Sequence, residues 1–302
     1  MKKLSISMLS IIAGITTVLS LGLRIICLFF FYDKIGYYKA GAPLPIIANI
    51  LFGISIAFFL TASIFSINKK QSVEAPAKAS QYAAALPIGA LVFHLIRILR
   101  PVVITSIEDI KNGVFSFSNI NFSVYGTIIS ILVSVAFFFF IFISKKQFKT
   151  ANFYLGLGAL AYIFFCWMSS YFDAIIPINS TDKIFFYLGC AGAILFIFNE
   201  MCAIYGEVKS RFYYFSLFVA ILTLSTSSIS AIVGYSCNIF KSYISLEADV
   251  FFITLAIYAI IRLIEAQKSK IVIEETVEAA SLDSTDNPCD TDSEESINDD
   301  CE

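Results

Sequence analysis

Charged side chains are scarce in this chain, and histidine is almost absent. Asp, Glu, Lys and Arg make up 15% of the 302 residues, and His94 is the only histidine. The chain also lacks a Walker phosphate loop, His-Glu-x-x-His, Gly-x-Ser-x-Gly and Cys-x-x-Cys, the motifs that mark familiar soluble chemistries. These absences argue against a common soluble enzyme, and we expect no cofactor and no nucleic-acid partner.

Apolar residues, by contrast, form eight long runs. A bilayer core about 30 Å thick needs about 20 apolar residues in a helix, and several runs reach that length with hardly a charge. We predict an all-α membrane bundle of eight transmembrane helices; a buried soluble bundle is the alternative. The predicted spans are residues 5 to 32, 44 to 67, 82 to 104, 123 to 144, 152 to 175, 184 to 206, 213 to 236 and 248 to 267.

Lysine and arginine are concentrated in every second gap between the runs. The N-terminus and alternate gaps after it hold 12 of these cations, whereas the other gaps hold five. Because short loops rich in Lys and Arg stay on the cytoplasmic side, both termini are predicted to be cytoplasmic. The first run follows Lys2 and Lys3 as a secretory signal would, but it lacks an Ala-x-Ala cleavage site, so we interpret it as a retained helix.

The last 32 residues have a charge of one sign. Residues 271 to 302 contain 12 acidic side chains and neither Lys nor Arg. Such a segment cannot bury enough apolar surface to fold, so the predicted domains are a membrane domain, residues 1 to 270, and a disordered acidic cytoplasmic tail, residues 271 to 302. The tail serves solubility in one interpretation, and in the other it binds basic loops or a basic protein partner.

The seven cysteines do not predict a disulfide framework or a metal site. Five lie within or at the ends of apolar runs, where a thiol behaves as a small apolar group. Cys289 and Cys301 stand among carboxylates, but two thiols twelve residues apart without a nearby histidine are not a typical metal-ligand pattern.

Ionisable residues inside the runs are the candidates for function, because they are costly in hydrocarbon and usually face the bundle interior. His94, Arg97 and Arg100 are spaced by three residues, so they lie along one side of the third helix. Arg24 is expected at a similar outer depth, with Asp173 as the nearest counter-charge. The set predicts either an outward-facing basic pocket for an anionic solute or structural charges, with Arg100 at the interface and Arg97 and Arg24 paired with Asp173, backbone carbonyls or lipid phosphate. Proton transfer by His94 is a further alternative.

A second polar pair is predicted in the inner half of the bundle. Glu200 in the sixth run and Arg262 in the eighth have similar depth at 1.5 Å rise per residue. We therefore expect a buried ion pair that clamps two helices, with gating or ion coupling as the alternative. The hydroxyl-rich seventh run, Thr223 to Ser230, and the small residues around Gly156 and Gly189 predict close helix packing.

The connection between the fifth and sixth runs carries a family resemblance. Tyr171, Phe172 and Asp173 are followed by Pro177, Ile178, Asn179, Ser180 and Lys183. Over residues 165 to 235 the chain resembles multi-pass membrane proteins of Firmicutes, chiefly Clostridia, that are themselves uncharacterised. The resemblance implies a bacterial cytoplasmic membrane and carries no activity with it.

Two functions follow as hypotheses. The first is a non-enzymatic sensing, regulatory or scaffold component of the membrane, which the absence of catalytic groups favours. The second is a small-molecule transporter whose outward-facing basic pocket takes an anionic solute. A transporter would favour broken helices and inverted repeats, and the sequence shows no such repeat. The oligomeric state is left open.

Overall fold

The structure is a computed structural model of the whole chain. It describes residues 5–33, 37–39, 41–67, 73, 75–111, 122–143, 149–177, 179–206, 208–240 and 245–283. Most of these residues are helical, and the described ranges contain no strand. The helices are α1 (Ile6–Phe31), α2 (Pro43–Ser66), α3 (Lys78–Ala83), α4 (Ala85–Lys111), α5 (Phe122–Ile143), α6 (Lys149–Phe172), α7 (Thr181–Tyr205), α8 (Ser210–Ser236) and α9 (Leu246–Asp283).

Local sequence explains several helix ends. Ser5 caps α1 by accepting a hydrogen bond from the Met8 N–H, and Ser180 does the same for Lys183 at the start of α7. α7 ends at Gly206, whose positive φ of 99° is a conformation that glycine adopts without steric cost. Pro87 cannot donate to the carbonyl of Ala83, where α3 ends.

The predicted class, a bundle of long apolar helices, is confirmed. Within the described residues, seven helical segments are long and apolar enough to cross a membrane, with α3 and α4 counted as one segment, Lys78–Ile104. The eighth predicted run lies inside α9, which is not among the seven. Large apolar side chains are exposed on α1, α2, α4 and α5, as expected of a protein whose outer surface meets lipid.

The core is formed by the later helices. α8 packs against α7, α1 and α2, while α4, α5, α6 and α7 pack as successive neighbours. Most of α8 is buried, and so is one face of α9 between Ala248 and Leu263. We call the end where α1 and α6 finish and α7 and α9 begin the outer end. The inner end is where α7 finishes and α8 begins.

The chain divides into two units, Met1–Ala266 and Gln267–Glu302. Helix α9 continues through residues 271 to 283, which the sequence analysis assigned to a disordered tail. The segment from Ile271 to Ala280 contains Glu and Ala, which favour a helix, together with the β-branched Ile, Val and Thr, which favour it less. Residues 284 to 302, with Cys289 and Cys301, lie outside the described residues.

Candidate functional site

A cavity opens at the outer end between α4 and the first turn of α9. It has a volume of about 340 Å³ and is lined by His94, Arg97, Ile98, Arg100, Pro101 and Glu247. Three of the five predicted binding residues are therefore brought together by their spacing along α4. The volume is at the small end of the range found for ligand sites.

Charge in this cavity is mixed rather than purely basic. The Arg97 Nε donates to Glu247 Oε1 at 2.8 Å, with the Arg97 side chain 58% exposed and that of Glu247 14% exposed. Glu247 lies in the first turn of α9, where the helix dipole stabilises a carboxylate. Among the described residues Arg100 has no carboxylate partner, so the cavity carries an excess of positive charge.

The floor of the cavity is closed by aromatic packing. His94 is buried, and its Nδ1 lies 2.7 Å from the hydroxyl of Tyr162 on α6. The Tyr162 ring packs edge-on against Phe251 of α9, with 5.2 Å between ring centroids. His94 is therefore held in place by a hydrogen bond to a fully buried tyrosine, while Arg97 and Arg100 remain open to the outside of the cavity.

Arg24 lies in a different environment, which we call the Arg24 cluster: Arg24, Tyr32, Tyr38, Asp182 and Phe185. The Arg24 Nη2 pairs with Asp182 Oδ1 at 2.9 Å, its Nη1 donates to the Tyr38 hydroxyl, and its guanidinium carbon lies 3.9 Å from the centre of the Phe185 ring. The Tyr32 hydroxyl donates to Asp182 Oδ2 at 2.5 Å. Burial, followed by the nearby Asp182 charge, raises the pKa of Tyr32 well above its usual range, which keeps this donor protonated.

The prediction that Asp173 is the counter-charge of Arg24 and Arg97 is wrong. Asp173 Oδ1 instead accepts from the N–H of Ile175 two residues on, and the Asp173 carbonyl accepts from the Lys183 ammonium at 2.6 Å. Depth alone could not choose between carboxylates at the same level. Asp182 and Glu247 had a signal in the sequence, because both stand in the first turn of a helix that begins at the outer end.

The inner half contains the pair predicted from depth. Arg262 Nε lies 2.8 Å from Glu200 Oε1, and both side chains are almost completely buried. Two tyrosine hydroxyls, from Tyr213 and Tyr258, donate to the same carboxylate at 2.7 Å each. Sequence reasoning found the charges but not the tyrosines, since nothing in the chain marks which of its 15 tyrosines meet Glu200.

This inner cluster continues to the beginning of the third predicted span. Arg262 Nη1 lies 3.5 Å from Glu265 Oε2, and the Glu265 carboxylate accepts from the N–H groups of Ala77 and Ser80 at 3.3 and 2.8 Å. A carboxylate from α9 thus caps the start of α3. We call Ser80, Glu200, Tyr213, Tyr258, Arg262 and Glu265 the inner network.

Comparison with known proteins identified no relative of this chain. No family model, curated protein or solved structure matches the chain. The chemistry of the molecule therefore has to be argued from its own residues. Arg97 and Arg100 at the cavity are charged and exposed, whereas Glu200 and Arg262 of the inner network are buried and paired.

Proposed function

We propose that this chain is a sensing, regulatory or scaffold component of a bacterial cytoplasmic membrane that binds a small solute with an anionic group at its outer end. The protein crosses the bilayer eight times, with both termini in the cytoplasm. The observation that carries the proposal is the cavity, because it gathers His94, Arg97 and Arg100 around a space of ligand size.

Arginine suits this role for a physical reason. Its planar guanidinium binds carboxylate or phosphate oxygens through two parallel N–H donors and stays charged at any physiological pH. Arg100 has no described carboxylate partner, and Arg97 is more than half exposed. An incoming anion therefore meets donors that are already positioned and need little desolvation.

Packing below the cavity favours binding over transport. A transporter must open the same site to the opposite face of the membrane, but His94, Tyr162 and Phe251 fill the space directly under the cavity. Further in, the inner network joins α9 to α7 and α8 through a buried ion pair. A solute bound in the cavity therefore shifts α4 relative to α9, which the inner network holds in place. The solute itself does not pass inward.

Charge reversal of Arg97 tests the proposal. The full chain in lipid nanodiscs is screened by equilibrium dialysis against radiolabelled short-chain carboxylates, amino acids and inorganic phosphate. We expect at least one to bind, and R97E to weaken that binding by about tenfold or more, since the variant replaces an attraction by a repulsion. The melting temperature of R97E should stay near that of the native protein because the Arg97 pair is exposed.

Two results would contradict this proposal: native protein that binds none of these solutes, or R97E that binds them all unchanged while still folded. Uptake into proteoliposomes distinguishes the proposed function from the alternative, a transporter. A transporter would accumulate the bound solute, whereas the proposed component binds it without net flux. K149Q, an exposed cation at the start of α6, serves as the control that leaves binding unaltered.

The acidic segment, residues 271 to 302, is proposed to meet a basic protein partner in the cytoplasm. Its charge supports this role, since 12 acids without a cation attract basic surfaces at low salt. Pull-down with the chain shortened by residues 274 to 302 tests it: loss of a salt-sensitive partner is expected, and an unchanged set of partners would leave the segment with a solubilising role only.

A further inference from the structure

The cavity presents a carboxylate beside its two guanidinium groups, and this limits which solutes fit it. Glu247 and Arg97 touch at 2.8 Å at the cavity wall. A simple anion that draws Arg97 away leaves Glu247 without its ion-pair partner, so part of the attraction gained on binding is lost again. An anion that leaves the pair intact still sits within a few ångströms of the Glu247 charge and is repelled by it.

A solute with both an anionic and a cationic group avoids both costs. We propose that the cavity binds a zwitterion of the amino-acid class, with its carboxylate on Arg97 and Arg100 and its ammonium on Glu247. Binding in this way replaces the Arg97–Glu247 ion pair by two ion pairs with the solute. No charge of the cavity or of the solute is then left without a partner. This inference rests on the proposed function, because it specifies the solute of the same site.

Backbone chemistry adds a second acceptor for the ammonium. Pro101 lines the cavity and has no N–H, so the carbonyl of Arg97, one turn earlier in α4, lacks its usual helical donor. An ammonium has three N–H donors and is satisfied best by several oxygens. The Glu247 carboxylate lines the cavity, and in the proposed binding mode the Arg97 carbonyl on α4 supplies a second oxygen.

The remaining lining indicates the size and character of the solute. Ile98 and Pro101 are apolar, and the volume of about 340 Å³ suits a molecule of amino-acid size rather than a peptide or a nucleotide. A short apolar side chain contacts Ile98 and Pro101 while both charged groups are held. The rigid His94, bonded to Tyr162, forms the polar base of the cavity.

Matched ligands test the inference directly. The full chain in nanodiscs is titrated with the common amino acids, with the corresponding carboxylic acids that lack the amino group, and with the corresponding amines that lack the carboxyl group. We expect one or more amino acids to bind, and both partial analogues to bind about tenfold or more weakly, since each leaves one protein charge unpaired.

The substitution E247Q gives the sharper measurement, because the two ligand classes respond with opposite sign. A zwitterion loses its ammonium partner and binds E247Q about tenfold more weakly, whereas a simple anion loses a repulsion and binds it more tightly. R97Q weakens both classes, and K149Q weakens neither. Circular dichroism and melting temperature check that each variant is folded.

Failure of this inference is distinguishable from failure of the proposed function. Simple carboxylates that bind as well as the amino acids, and bind better to E247Q, overturn the zwitterion but keep an anion-binding cavity. Native protein that binds no amino acid overturns the zwitterion as well. Insensitivity of every bound solute to R97Q and R97E overturns both proposals together.

Discussion

Glu200 shows how a charged side chain is accommodated in the apolar interior. Its two oxygens accept hydrogen bonds from the hydroxyls of Tyr213 and Tyr258, and the Arg262 guanidinium lies 2.8 Å from one of them as its counter-charge. In a low dielectric such a carboxylate is tolerated only when it is paired and hydrogen-bonded. The arrangement joins α7, α8 and α9 at one point and explains why an acidic residue lies deep in an apolar helix.

Removing one member of this pair should be much worse than removing both. We expect R262M to lower the free energy of unfolding by about 3 kcal/mol or more, because it leaves the Glu200 charge buried without its counter-charge. The double variant E200Q/R262M should be less destabilised than R262M alone, and so well below the sum of the two single variants. Reversible unfolding in mixed detergent micelles, followed by circular dichroism, measures all three.

R97M is the matched control for that experiment. It removes a carboxylate-bound arginine as well, but from a pair whose arginine is 58% exposed, so its expected cost is below about 1 kcal/mol. Equal losses for R97M and R262M, or additive losses for E200Q and R262M, would show that the inner network does not act as a buried, coupled unit.

Individual charges were only partly predictable. Depth along the helices was enough to pair Glu200 with Arg262, because Glu200 is the one charged residue of the sixth predicted span and Arg262 is the one cation of the eighth. The same argument failed for Arg24 and Arg97, since Asp173, Asp182 and Glu247 all lie near the outer end. Choosing among them requires knowledge of which helices are neighbours, and that knowledge is absent from a one-dimensional pattern.

At the scale of the helix, small residues decide how closely α7 and α8 approach. A Cβ added at Gly189 would lie 2.6 Å from the Ser227 hydroxyl oxygen, and one added at Gly192 would overlap the hydroxyl of Thr223. The predicted role of the hydroxyls is confirmed: Thr223 donates to the Val219 carbonyl at 2.8 Å, and Ser230 donates to that of Thr226 at 2.6 Å. These two hydroxyls are satisfied within their own helix, so they cost little at the contact.

Substitution of Gly192 tests this contact. We expect G192A to destabilise the protein by about 1–3 kcal/mol, since the added methyl forces α7 and α8 apart in a well-packed core. Adding T223A, which removes the obstructing hydroxyl, should restore part of the loss. Thermal unfolding of the single and double variants in detergent provides the measurement.

Gly53 supplies the comparison for that substitution. Nothing lies within 4 Å of a Cβ built at this position in α2, and alanine favours a helix over glycine by about 1 kcal/mol. G53A should therefore be neutral or stabilising. If G192A behaved like G53A, the close approach of α7 and α8 would not depend on the glycine.

The start of helix α3 could not be predicted from the sequence. The apolar pattern placed the start of the third span at residue 82, whereas helical structure begins at Lys78. The four extra residues depend on Glu265, which is 185 positions away from Ser80 and caps its N–H. Local propensity and hydropathy carry no information about a cap supplied by a distant helix.

For the whole molecule, the paired helix ends agree with an alternating path through the bilayer. Arg24 near the end of α1 meets Asp182 at the start of α7, and Arg97 in the outer half of α4 meets Glu247 at the start of α9. Glu200 near the end of α7 meets Tyr213 near the start of α8. These contacts join ends that eight antiparallel crossings would bring to the same side.

Cys237 offers a direct measurement of orientation. It follows α8 at the outer end, and its side chain is exposed. In cells that carry the chain with serine at positions 289 and 301, a membrane-impermeant maleimide should label Cys237 without permeabilisation. C237S is the control that should abolish the signal. Labelling that requires permeabilised cells would place this end in the cytoplasm and reverse the proposed topology.

The sequence by itself determined the class, a bundle of long apolar helices, together with the approximate helix positions and the similar level of Glu200 and Arg262, because hydrophobic length and helical rise are properties of consecutive residues. It also placed His94, Arg97 and Arg100 on one side of a helix through their spacing alone. Only the tertiary structure decided their partners: Glu247 at the cavity, Asp182 for Arg24, and two tyrosines for Glu200. The physical reason is that pairing depends on which helices lie side by side, and the packing of side chains from distant parts of the chain sets that arrangement.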